Sequence, residues 1–303
     1  MKFGNYIKAC RKRFHLTQDE LVEHLYHYDD IFSKLDGVTL SRWERGITCP
    51  NLHKQKIFIE SLRQISDDLF PCFDLLSTQQ ITLNTATLGI SKIIGKHPRY
   101  MLDFPKDLIE SHKINIKHMK ETDIYQKSLK LTYELHKKIT NDYAQLTLHH
   151  FQDWASHPRS LFLLAQYEEH FFGMLFSLSL KKTIFTKLLE GSMQENEITQ
   201  EHFAEENEKS DEYLLGFFSY SEEATSHLML AYYHYLMKEQ KNIEKIGVLV
   251  KIAEGHALSK TLGLKPLNIT TSLPSPYASS IGDVILNPNA LTIFFEKFIP
   301  EAN

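Results

Sequence analysis

The chain carries three groups of residues whose types and spacing could do chemistry. Lys8, Arg11, Lys12 and Arg13 gather four cations near the N-terminus, and Lys and Arg at that density suit phosphate oxygens. Sixteen histidines, among them His24 and His27, the pair His149-His150, and His227 and His234, invite a metal reading. None sits in an HExxH motif or in a Cys/His pattern with zinc spacing, so they read as solvated or core side chains. Tyr232, Tyr233 and Tyr235, with Phe217 and Phe218, could line an apolar pocket, but aromatics so spaced more often fill a core. The sequence contains no Ser/His/Asp signature, no phosphate loop and no basic-aromatic array for single strands. No catalytic residue, cofactor site or metal site is assigned.

These groups need scaffolds to position them. A length of 303 residues suggests about two domains. Hydrophobic residues make up 42% and charged residues 24%, which excludes disorder, collagen-like sequence and coiled coil as the dominant state. No apolar run reaches the roughly 18 residues of a bilayer span, and MKFGNYIKACRKRF lacks the apolar core of a signal peptide. Cys10, Cys49 and Cys72 are odd in number and widely spaced, which argues against a disulfide framework and fits a reducing compartment. The expectation is a soluble cytoplasmic protein with no membrane partner. The net charge of −4 hides an asymmetry. Residues 1–65 hold 11 Lys+Arg against 8 Asp+Glu, and the rest hold 23 against 30, so a polyanion would be met by the N-terminal part.

Residues 4–65 read as short helices. Ile7, Cys10, Phe14 and Leu16 have an approximately helical spacing. Thr17-Gln18-Asp19-Glu20 is a capping box that opens a helix with Leu21 and Leu25 inward. Leu40 and Trp43 mark a third helix closed by Gly46, and a fourth runs through Phe58, Leu62 and Ile65. LTQDEL (Leu16–Leu21) followed by TLSRWERG (Thr39–Gly46) and Pro50 resembles the Cro/repressor-type, or XRE-type, helix-turn-helix. The stretch between Leu25 and Leu40 is longer than that family's usual turn. The resemblance implies a DNA-binding domain over residues 1–68, with a recognition helix starting near Asp36–Val38. Val38, Thr39 and Arg42 would then meet base edges, with Ser41 on the same helix. Arg can pair with guanine, and Val or a Thr methyl can touch the thymine methyl. Gln18, at a helix N-terminus, would help hold a phosphate, and Lys8, Arg11, Arg13 and Arg45 would make further phosphate contacts. Trp43 reads as core, and Glu44 as paired within the domain, with an Arg as one partner.

Residues 69–112 read as a connector punctuated by Pro71, Gly89, Gly95, Pro98 and Pro105, with Thr82, Thr85 and Thr87 leaning to strand. No repeat of about 30–45 residues marks a helical solenoid. From 113 to 303, strand-like segments (Lys113–His118, Leu161–Tyr167, Phe171–Leu180, Tyr213–Tyr220, Ile246–Val250) alternate with helices over Thr122–Ile139, Leu146–Trp154, Ala224–Gln240 and Glu254–Leu262. Residues 191–212 read as a solvated acidic excursion. IGVLVKIAEGHALSKTLGL (Ile246–Leu264) and FFGMLFSL, containing Gly173, are similar to strand-helix units of the GNAT acetyltransferase fold. The resemblance implies an α+β chain in which an all-α helix-turn-helix domain precedes a mixed α/β GNAT-like domain. Where that family's glycine-rich loop cradles a pyrophosphate, this chain has Ser221-Glu222-Glu223-Ala224-Thr225-Ser226. The family's acid-donating tyrosine falls on Ser259, a much weaker acid. The expectation is a homodimeric transcriptional regulator bound to double-stranded operator DNA. Its degenerate second domain would dimerise it and leave room for a small-molecule or peptide effector. The alternatives are an active N-acetyltransferase with a DNA-binding head and a peptide-pheromone-responsive regulator, which would have almost no strand.

Overall fold

The computed structural model describes residues 2–75, 113–122, 125–140, 144–168, 170–267 and 273–295. Gly89, Gly95, Pro98, Pro105, Thr82, Thr85 and Thr87 lie outside them, and with them most of the expected connector. The described chain is mixed α/β, with eleven α-helices and one seven-stranded sheet. It divides into two compact units, residues 1–89 with 285–303 and residues 90–284.

Among its described residues the first unit contains helices and no strand: α1 (Phe3–Arg13), α2 (Gln18–Tyr28), α3 (Gly37–Glu44) and α4 (Leu52–Ser61). Phe3, Tyr6, Ile7 and Cys10 recur on one face of α1 and are buried there. The Thr17 hydroxyl accepts from Glu20 N, and the Glu20 carboxylate accepts from Thr17 N, which closes the expected capping box. Leu21 and Leu25 are fully buried. The long link after α2 is anchored midway. Asp29 caps a short turn over Asp30–Phe32, and Phe32 is 1% exposed. Gly46 follows α3 with φ +70°, as its place at a C-cap predicts. The fourth helix stops short of Ile65, which faces solvent.

The sequence partition runs the second domain to residue 303, whereas the packing assigns residues from 285 onward to the first unit. A helix near the chain end (α11, Pro288–Phe294) lies against α4. Phe295 stacks edge-on against Phe3 at 4.8 Å between ring centroids, and Phe294 meets Phe70 at 5.7 Å. These rings are buried and complete an aromatic core that α1 and α4 alone leave open.

The second unit holds β1 (Ile114–His118), α5 (Tyr125–Thr140), α6 (Leu148–Ser156), β2 (Ser160–Tyr167), β3 (His170–Leu180), α7 (Lys182–Glu190), β4 (Ser210–Ser219), α8 (Glu222–Lys238), β5 (Ile243–Val250), α9 (Glu254–Thr261), β6 (Lys265–Pro266), β7 (Ser275–Ser280) and α10 (Ile281–Ile285). The sheet order is β1-β2-β3-β4-β5-β7-β6. Every neighbouring pair is antiparallel except β4 and β5. Those two pair only from Ser210↔Ile243 to Tyr213↔Gly247 and then part, although β4 runs to Ser219 and β5 to Val250. Helices α5, α6 and α7 contribute Leu129, Phe151, Trp154, Phe185 and Leu188 to a core over Phe162, Phe176 and Leu215. Helix α8 packs against β1 to β4.

Seven strands set this body apart from an all-helical one. Several expectations need correction. Over residues 122–139, Ile124, Leu131, Leu135 and Ile139 recur with a helical period. The buried positions of α5 are instead Ser128, Leu129, Thr132 and His136, because the helix is rotated to leave Leu135 and Ile139 on its flank; Ile124 lies outside the described residues. Residues 191–212 are not a solvated excursion throughout. Glu195, Ile198, Phe203, Asp211 and Glu212 are buried, and Trp154 Nε1 donates to the Ile198 carbonyl at 3.0 Å. The sequence reading also missed α7, β6 and β7.

Candidate functional site

Helix α3 is two-faced. Asp36 caps it by accepting from Thr39 N at 2.7 Å, so its first turn is fixed. Leu40, Trp43 and Glu44 point inward, at 0%, 6% and 6% exposure. Val38 is 65% exposed, Arg42 and Arg45 are exposed, and Thr39 and Ser41 are half-buried. The exposed face therefore combines an apolar side chain with two guanidinium groups. Ile47, just past the helix, adds a second exposed apolar side chain.

What holds α3 is a polar clamp. Arg11 Nε donates to Glu44 Oε1 at 2.6 Å and its NH2 to Oε2 at 3.0 Å, while NH1 reaches the Leu16 carbonyl at 3.0 Å. Gln18 Nε2 donates to Glu44 Oε2 at 2.7 Å. Burial pushes the Glu44 carboxyl up, but hydrogen bonds from Arg11 and Gln18 outweigh it and hold the group below the usual carboxylate range. The pairing of Glu44 with an Arg matches the sequence expectation. It also changes the expected roles of Arg11 and Gln18. Their side-chain nitrogens, read above as phosphate contacts, face Glu44 instead, because an almost buried carboxylate must be neutralised where it sits. Arg13 is likewise engaged, with Asp74 at 2.6 and 2.8 Å. Lys8, Arg42 and Arg45 stay exposed. A close approach brings α1 onto α3: a Cβ on Gly4 would lie 1.9 Å from the Trp43 carbonyl oxygen.

The second unit offers a different geometry. At the start of α8, Ser221 is buried and its hydroxyl accepts from Ala224 N at 3.1 Å. The Ser221 carbonyl accepts from Ser219 Oγ at 2.7 Å and Thr225 Oγ1 at 2.9 Å. Its own side chains thus fill this helix entrance, and Glu222 and Glu223 occupy the first turn. Carboxylates there complement the positive end of the helix dipole and oppose an external anion.

Where β4 and β5 part there is a cavity of about 90 Å³, lined mostly by apolar side chains together with His136, Lys251 and Ser259. Ser259 is 3% exposed. Lys251 Nζ is paired with Glu195 at 2.7 Å, and the Tyr213 hydroxyl also donates to Glu195. Burial raises the Glu195 carboxyl, but the Lys251 ammonium and its other neighbours hold it below its ordinary value. Burial, reinforced by Lys251, depresses the His136 imidazole to about 4. Its Nε2 has no hydrogen-bond partner. Glu212 lies deeper on β4, bonded to Ser177, Ser179 and Tyr235, and burial raises its carboxyl.

The sequence reading missed Glu195, Lys251 and His136. The only available signal was His136 at seven residues from Leu129 with Thr132 between, a polar run on what proves to be the inner face of α5. Among the described residues no group of His, Cys, Asp and Glu is placed to hold a metal ion, and no helix is long and apolar enough to cross a membrane. Compared with known protein families and with curated proteins, the chain matches none of either.

Proposed function

We propose that this chain is a sequence-specific DNA-binding transcriptional regulator of the helix-turn-helix type. Its second unit would be a GNAT-like body that dimerises it and transfers no acetyl group. The observation that carries the reading is the two-faced α3, with Val38 and Arg42 outward over a clamped inner face. Its dimensions and chemistry suit a major groove, where Arg42 pairs with a guanine edge and Val38 touches a thymine methyl. Lys8 and Arg45 contact phosphates, and Arg11 and Gln18 act as positioning residues through Glu44. A two-fold dimer places two such helices about 34 Å apart, in successive major grooves.

Three features support a GNAT-like body. They are the strand order, the single parallel pair at β4 and β5, and the opening between those strands. The helix entrance occupied by Ser221, with Glu222 and Glu223 beside it, disfavours a pyrophosphate there. A serine at 259 in place of a phenol disfavours thiolate protonation. The test is genome-wide occupancy of the full chain, followed by titration of the enriched sequences. Tight binding to one shared sequence, weakened and relaxed at one base pair in Arg42→Ala, is expected. Occupancy without sequence preference would defeat the reading.

A further inference from the structure

We propose that the cavity where β4 and β5 part binds a small uncharged ligand, predominantly apolar and carrying one hydrogen-bonding atom that meets His136. The inference rests on the reading above that this body transfers no acetyl group. Three observations carry it. The first is His136 itself. It is 6% exposed, lines the cavity with Nδ1 toward Gly216, and has a buried Nε2 with no partner. A buried polar atom left unbonded is uncommon enough in native proteins to require a cause, and a ligand atom supplies one.

The second is charge. The imidazole is neutral, and among the described residues the cation on the wall, Lys251, is already neutralised by Glu195. An anion would find no uncompensated positive charge here, whereas a neutral molecule needs none. Apart from the hydroxyls of Thr140 and Ser259, the rest of the lining, including Leu215, Leu249 and Leu258, is apolar.

The third is space that the sequence keeps open. Gly216 lies on the wall, and a Cβ there would meet only His136 Nδ1, at 3.5 Å. Any larger residue on this strand position would project toward the imidazole. About 90 Å³ accommodates about four non-hydrogen atoms, in proportion to an apolar cavity of about 150 Å³ that admits benzene. That is the size of a short ketone, alcohol or amide.

The probe is 2-butanone, titrated into the full chain with labelled Leu and Val methyl groups and histidine ring nitrogens, followed by NMR. Saturable shifts at Leu215, Leu249, Leu258 and the His136 ring are expected. Gly216→Ala, which occupies part of the space without a clash, is expected to weaken binding about tenfold. His136→Leu is expected to weaken it about fivefold while the purely apolar probe xenon still binds. Shifts that stay linear to the solubility limit overturn the inference, as does an affinity unchanged by Gly216→Ala. Saturation of the same signals by acetyl-coenzyme A would overturn both this inference and the non-enzymatic reading. Failure of both 2-butanone and acetyl-coenzyme A to bind would overturn this inference alone.

Discussion

The Arg11 guanidinium and the Glu44 carboxylate face each other in a two-pronged ion pair across α1 and α3, with the carboxylate side chain 4% exposed. The pair fixes the helix that carries Val38 and Arg42, and it does so from beneath. Removing one partner strands the other, at a cost of about 3 kcal/mol. Arg11→Met is therefore expected to lower the urea midpoint markedly, and the double variant with Glu44→Met to recover much of the loss. Equal loss in the single and double variants would show that the charges do not depend on each other.

Arg42→Ala should behave in the opposite manner. Its side chain is exposed, so stability should change by no more than about 0.5 kcal/mol. Discrimination at one base pair should fall by about 1–3 kcal/mol. Titration against a set of single-base variants of the bound sequence checks both halves, and intact discrimination would exclude base contact by this residue.

Gly4→Ala tests the approach of α1 to α3. The added methyl would lie 1.9 Å from a backbone oxygen, which a rotamer change cannot relieve. A loss of about 3 kcal/mol is expected, at the upper end for overpacking, and thermal melting reads it. A neutral result would mean that the helices can separate freely.

His136 predicts a pH dependence. Its folded pKa of about 4 lies below an ordinary histidine near 6.5, so the unfolded chain binds the proton first as pH falls. The contribution is fully present above about 6.5 and is lost on descent toward about 4, amounting to about 3 kcal/mol. Unfolding midpoints compared across this range should show the parent losing stability relative to His136→Leu as the pH drops. Parallel curves would show that the imidazole takes up its proton while folded.

Glu212 predicts the reverse sign. Burial raises its folded pKa, so its contribution is present below the ordinary glutamate range and lost as pH rises through the folded value. Glu212→Gln keeps hydrogen-bonding atoms near Ser177, Ser179 and Tyr235 and removes the buried charge. The variant should be more stable than the parent above neutrality, measured by urea unfolding at pH 8.

The first four helices were legible because their signals are local. Thr17 and Glu20 cap one another three residues apart, and Gly46 ends a helix with positive φ as its position foretells. Most of the strands were legible from continuous apolar runs such as Leu161–Ala165. What escaped the sequence reading depends on distant partners. Glu195 looks like a surface acid until Lys251, 56 residues on, is seen to neutralise it. Arg11 looks like a phosphate ligand until Glu44 is found beneath it. Helix α11 carries an ordinary apolar pattern, and nothing in that pattern says which core it completes.

The placement of α11 bears on the order in which the chain can mature. As the polypeptide leaves the ribosome, Phe3, Tyr6 and Phe70 emerge before the sheet, yet their ring partners Phe294 and Phe295 follow it. Domains ordinarily settle in the order of their synthesis. Here the helical head must wait with an unfinished aromatic core while the whole sheet is made. A nascent chain halted before residue 288 would therefore carry a loosened helical head, its aromatic core closed only once α11 has been made.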